Sequence, residues 1–181
     1  MLQLYRACTP LTATREEQSA IARKMLADAW KEHGHALPPI CTDDAGRPYL
    51  AELPHVDFNI THTAGLVMLA LSLAPEGQIA PRVGIDAQHT NETSPTRVKR
   101  LAARFFAPNE LEFFRVQGET VRAFATVFTR KEAFAKCRGD GLARNLRTTD
   151  TMQADFESIQ RVRFTTPEAP EGYCITLCAE T

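Results

Sequence analysis

The stretch VDFNITHTAGLVMLALSL, residues 56–73, decides the fold. Its first eight residues mix polar and apolar side chains, its last eight are almost wholly apolar, and only Ala64-Gly65 separates the two. Two strand-like runs joined by two residues read as a β-hairpin, and hence as antiparallel sheet. Upstream, LQLYRA (2–7) alternates like a first strand. TREEQSAIARKMLADAWKEHG (14–34) then carries apolar residues at helical spacing, with Thr14 as N-cap, Glu17 three residues on and Gly34 as stop. ALPPICTDDAGRPYL (36–50) reads as a connector ending in a short extended piece.

Downstream, PEGQIAP (75–81) is turn-rich and marks a seam. RVGIDA opens a second strand-led segment, followed by helices over roughly 95–106, from APNELEFFR (107–115) and over 119–137. The tail reads as strands, VRFTTPE and YCITLCAE being the clearest. Strands and helices do not alternate strictly, so the expected class is α+β with mostly antiparallel sheets packed with helices.

The 181 residues suffice for one large domain or two small halves sharing a core. A net charge of −1 argues against non-specific nucleic-acid binding, which needs a basic surface. No apolar run approaches the roughly 18 residues a membrane span requires, so no membrane partner is expected. The five cysteines form no CxxC pair; Cys174 and Cys178 share a strand face and read as small buried residues. Free thiols and the lack of a signal segment point to the cytoplasm.

Three groups of residues could carry chemistry. Asp86 and Gln88 point to the same face of their strand, and Glu132 and Lys136 share one face of the long helix. Each has a plainer reading, a strand-ending turn acid and a solvent-facing ion pair. Taken together, Asp86, Gln88 and Glu132 are three oxygen ligands of the kind Mg²⁺ prefers. Arg47 beside Pro48, Thr61 and His62 at the hairpin, Lys131 and Lys136, and Gly139 and Gly141 in RGDGL form a set suited to phosphate. An Asp…Glu…Lys nuclease is a rival reading, disfavoured because Glu132 and Lys136 sit on a helix.

The order GRPYL (46–50), FNITHT (58–63), VGIDAQ (83–88) and FTRKEAFAKCRGDGL (128–142) resembles the 4′-phosphopantetheinyl transferase superfamily, in its longer, two-half type. The resemblance covers about 46–142. It implies an α+β fold of two similar halves, 1–78 and 79–181, related by pseudo-two-fold symmetry, with coenzyme A (CoA) bound between them. It implies a transferase that moves the 4′-phosphopantetheine arm of CoA to a serine of an apo acyl or peptidyl carrier protein, with Mg²⁺, and two halves in one chain make a monomer sufficient. By motif position Asp86, Gln88 and Glu132 hold the metal. Glu132, Lys136 and Asp86 are the catalytic set. Arg47, Thr61, His62, Lys131, Lys136, Gly139 and Gly141 contact CoA. Phe128 replaces a common tryptophan, Thr61 a serine, and Gln88 a glutamate. Losing that charge implies a metal site that fills mainly together with CoA, or, as the alternative, a non-catalytic relative that binds CoA or a carrier protein. Phe105, Phe106, Phe113 and Phe114 are candidate carrier contacts.

Overall fold

The chain opens with strand β1 (Leu2–Cys8), followed by helix α1 (Arg15–Lys31). The computed structural model describes residues 1–33, 37–91, 93–139 and 146–181. Helix α1 starts where its capping box predicts: the Thr14 hydroxyl accepts from the Glu17 amide, and the Glu17 carboxylate accepts from the Thr14 amide at 2.7 Å. Gly34, the expected stop, lies outside the described residues. The segment read as a connector is a small hairpin, β2 (Ile40–Thr42) with β3 (Pro48–Leu50). Asp43 closes its turn by accepting from the amides of Ala45 and Arg47. Three-residue strands leave too short a period to read from sequence.

Strands β4 (Val56–Thr63) and β5 (Leu66–Leu73) form the expected hairpin. After β6 (Val83–His89) come α2 (Pro95–Phe105), α3 (Pro108–Val116) and α4 (Val121–Arg138). A five-residue helix not anticipated from sequence, α5 (Phe156–Gln160), precedes β7 (Val162–Thr165) and β8 (Tyr173–Glu180). The architecture is α+β. One antiparallel sheet has the order β1-β5-β4 and another the order β6-β8-β7.

The almost wholly apolar run of β5 is explained by burial on both faces. Leu69 and Leu71 pack with Leu26, Ala29 and Trp30 of α1. Leu66, Met68 and Ala70 pack on Val83, Ile85 and Ala87 of β6 and on Ile175 and Leu177 of β8. Each such leucine contributes about 1.5–3 kcal/mol through burial, so β5 anchors both layers. A further cluster joins α2, α3 and α4 through Phe106, Phe114 and Phe124. Phe106 and Phe114 meet edge to face and are 2% and 4% exposed. That burial corrects the expectation that they are carrier contacts: they are core.

The other face of β6 meets α4. A Cβ on Gly84 would sit inside the contact radius of the Ala133 carbonyl oxygen and the Cys137 backbone. Glycine is therefore what lets helix and strand approach so closely. Cys137 and Cys178 fill the layer beside it, and the hydrogen bond with Cys137 first, burial second, push the Cys178 thiol up, keeping it protonated. Across the sheets, β4 and β6 are joined by side chains: the Asp57 carboxylate accepts from the Val83 amide (2.7 Å), and the Asn59 carbonyl from the Ile85 amide (2.9 Å). Gly84→Ala must push α4 from β6, and overpacking of this kind costs about 1–3 kcal/mol or more. It is expected to lower the thermal midpoint by about 3–10 °C, read by circular dichroism.

Candidate active site

Three elements converge at the carboxyl end of β6. Residue 86 shares a strand face with Gly84, so the close approach at Gly84 brings Asp86 under α4. Helix α4 offers Glu132 and, one turn on, Lys136; β4 offers Thr61. The Lys136 ammonium donates to Asp86 Oδ1 (2.6 Å), the Ile85 carbonyl (3.0 Å) and the Thr61 hydroxyl (3.3 Å). The Thr61 hydroxyl donates in turn to Asp86 Oδ1 at 3.2 Å. Asp86 Oδ2 is buried and has no partner among the described residues.

Glu132 is 6% exposed. Burial first, and the negative charge of Asp86 second, push its carboxyl from 4.5 up to about 7, with Lys136 opposing. These groups line a cavity of about 500 Å³ together with Arg15, Arg47, Thr61, His62, Gln88 and Gly139. That size suits a nucleotide-sized ligand. Burial, with Arg15 and Lys136 nearby, lowers the His62 pKa, so its imidazole is neutral at neutral pH. Gly139 ends α4 in the left-handed conformation (φ 77°), the usual stop for a helix. Gly141 lies outside the described residues.

Two expected ligand contacts are differently placed. Arg47 is in the cavity wall, but its guanidinium donates to Asp57 (2.6 Å), to the Val83 carbonyl (3.0 Å) and to the Lys136 carbonyl. It ties β3, β4, β6 and the end of α4 together. Lys131 is not with the others: its side chain is wholly buried, paired with Glu110 at 2.5 Å and donating to the Thr149 carbonyl. Glu110 also accepts from the Ala107 amide and from the amide and hydroxyl of Thr151. Residues 131 and 136 stand about 140° apart around a helix, so one can face the core while the other faces the cavity. Sequence reasoning missed Arg15, Asp57 and Asn59. Asn59, a polar residue inside a buried strand, was the one with a local signal.

Among the described residues, no three His, Cys, Asp or Glu side chains converge as a metal-binding group. Among the described residues the cavity holds two carboxylates, Asp86 and Glu132, with the Gln88 amide as a third oxygen. A hard divalent cation fits this set because it would satisfy the orphaned Asp86 oxygen and relieve the repulsion between the two acids.

Residues 82–178 match the 4′-phosphopantetheinyl transferase superfamily. The chain belongs to that superfamily. It is similar to the 4′-phosphopantetheinyl transferase HetI of Nostoc sp., 33% identical over 48% of this chain and 34% of the relative. It is also similar to the 4′-phosphopantetheinyl transferase Sfp of Bacillus subtilis, 28% identical over 76% of this chain and 61% of the relative. A putative 4′-phosphopantetheinyl transferase of Haemophilus influenzae is 29% identical over 60% of this chain and 43% of its own. The chain thus spans less than two thirds of each of these relatives.

Two measurements check the electrostatics of this superfamily member. Glu132 has a folded-state pKa above its unfolded one, so stability falls as pH rises from about 4.5 to about 7, the loss being complete above that range and absent below it. In metal-free buffer, Glu132→Gln should be more stable than wild type by about 3 kcal/mol near pH 8, the gain vanishing near pH 4. Lys131→Met strands the buried Glu110 carboxylate and should cost about 3–5 kcal/mol in urea unfolding.

Proposed function

We propose that the protein transfers the 4′-phosphopantetheine arm of CoA to a serine of an apo acyl or peptidyl carrier protein, releasing adenosine 3′,5′-bisphosphate. The observation that supports this reading most is the meeting of Asp86, Glu132 and Lys136 across β6 and α4, in a cavity whose wall carries Arg15, Arg47 and His62. The superfamily match, and relatives that are named 4′-phosphopantetheinyl transferases, support the reaction class.

In the reaction the serine oxygen bonds to the β-phosphorus of CoA while the bond from that phosphorus to the bridging pyrophosphate oxygen breaks. Asp86, Glu132 and the Gln88 amide oxygen would hold Mg²⁺, which when bound would supply positive charge to the pyrophosphate. Glu132 takes the serine proton, directly or through water. Lys136 neutralises the charge that grows on the departing phosphate. Arg15 makes the cavity wall positive toward the remaining phosphates, and Arg47, paired with Asp57, lines the same wall. Neutral His62 contributes hydrogen bonding without charge, and Thr61 holds both Asp86 and Lys136 in place.

We read the chain as two halves, 1–78 and 79–181, with pseudo-two-fold symmetry and CoA between them; the two three-stranded sheets support this division. One chain then suffices, as a monomer working in the cytoplasm. Incubation with Mg²⁺, CoA and a panel of apo carrier proteins should add the mass of the arm to at least one carrier. Glu132→Gln should cut transfer by about 100-fold or more while CoA binding persists. CoA binding without mass gain on any carrier would instead favour a non-catalytic binder.

A further inference from the structure

Lys136 has a second role in the protein without ligands. Its ammonium has three N–H donors, and each has an acceptor: Asp86 Oδ1, the Ile85 carbonyl and the Thr61 hydroxyl. Asp86 Oδ1 also accepts from Thr61, so one oxygen of this carboxylate is fully engaged and only Oδ2 remains. Position 88 supplies an amide, and among the described residues of the cavity the remaining acid is Glu132. Two carboxylates and one ammonium leave the pair of acids with a single net negative charge. Of the other cations at the cavity, Arg47 is neutralised by Asp57 at 2.6 Å, while Arg15 adds positive charge.

We infer that Lys136 is a tethered cation that occupies the metal site, competing with a divalent ion for Asp86 until a ligand carrying phosphate draws the ammonium away. A free divalent ion approaching the remaining Oδ2 meets the repulsion of the ammonium on the same carboxylate and one net negative charge, so it binds weakly. A diphosphate offers Lys136 a new acceptor and adds oxygens to the metal shell, so ion and ligand load together. That coupling, not the occupancy itself, rests on the proposed transferase activity.

The test uses the full chain at about pH 8, where carboxylates are ionised, and Mn²⁺ as a spectroscopic stand-in for Mg²⁺. Free Mn²⁺ is counted by electron paramagnetic resonance. Lys136→Met, and independently Lys136→Gln, should bind Mn²⁺ alone about tenfold more tightly than wild type, although each removes a group the transfer needs. CoA should tighten Mn²⁺ binding to the wild type and do so less in either variant. Unchanged or weaker binding of Mn²⁺ alone in the variants overturns the inference, whatever CoA does. A wild-type Mn²⁺ affinity indifferent to CoA counts against the transferase reading and leaves the occupancy by Lys136 standing.

Discussion

The approach of the α4 backbone to β6 at Gly84 is the constraint on which the rest depends. Helix and strand touch there without an intervening side chain, and the strand's two-residue period then sets Asp86 beneath the helix. The helical period brings Glu132 and Lys136 to the same edge. A larger spacing would leave the ammonium of Lys136 short of Asp86 and open the acids to water. The pKa of Glu132 depends on that exclusion, since burial is its main cause.

Helix α4 carries two lysines with opposite fates. Lys131 is buried in full and met by Glu110 and a backbone carbonyl, while Glu110 is itself met by Thr151 and Ala107. Every polar atom there has a partner, so the group is a fixed structural joint between α3, α4 and the segment around Thr149 to Thr151. The acids beside Lys136 are the reverse case. One buried oxygen of Asp86 has no partner among the described residues, and burial and Asp86 push the Glu132 carboxyl up to about 7. Unsatisfied groups are costly to bury, and here they border the large cavity. The contrast separates a joint from a site better than the residue types do.

Local signals were readable in the sequence: the Thr14–Glu17 capping box, the Ala64-Gly65 hairpin and the end of α4 at Gly139 each depend on residues close along the chain. Much of the candidate site was legible as well, because the strand and helix periods place Asp86, Glu132 and Lys136 on definite faces. What escaped depends on distant partners. Nothing near Lys131 announces Glu110, twenty-one residues earlier. Nothing in GRPYL announces that Arg47 ends on Asp57 and the Lys136 carbonyl. Arg15 looked like one more residue of a capped helix, and the helix's orientation toward the cavity is a tertiary fact. The five residues of α5 were too few for a period to emerge.

The junction between β4 and β6 runs through the side chains of Asp57 and Asn59 to the amides of Val83 and Ile85. A backbone ladder is blind to residue identity and tolerates a slip of two places. This junction does not, because a slip would bring the wrong side chains to those amides. The alignment of the two sheets is therefore written as an address in particular residues. Since Thr61 and Asp86 sit two and one places further along the same strands, the walls of the cavity inherit their alignment from that address. Two polar side chains with no part in the chemistry thus act as the molecule's ruler.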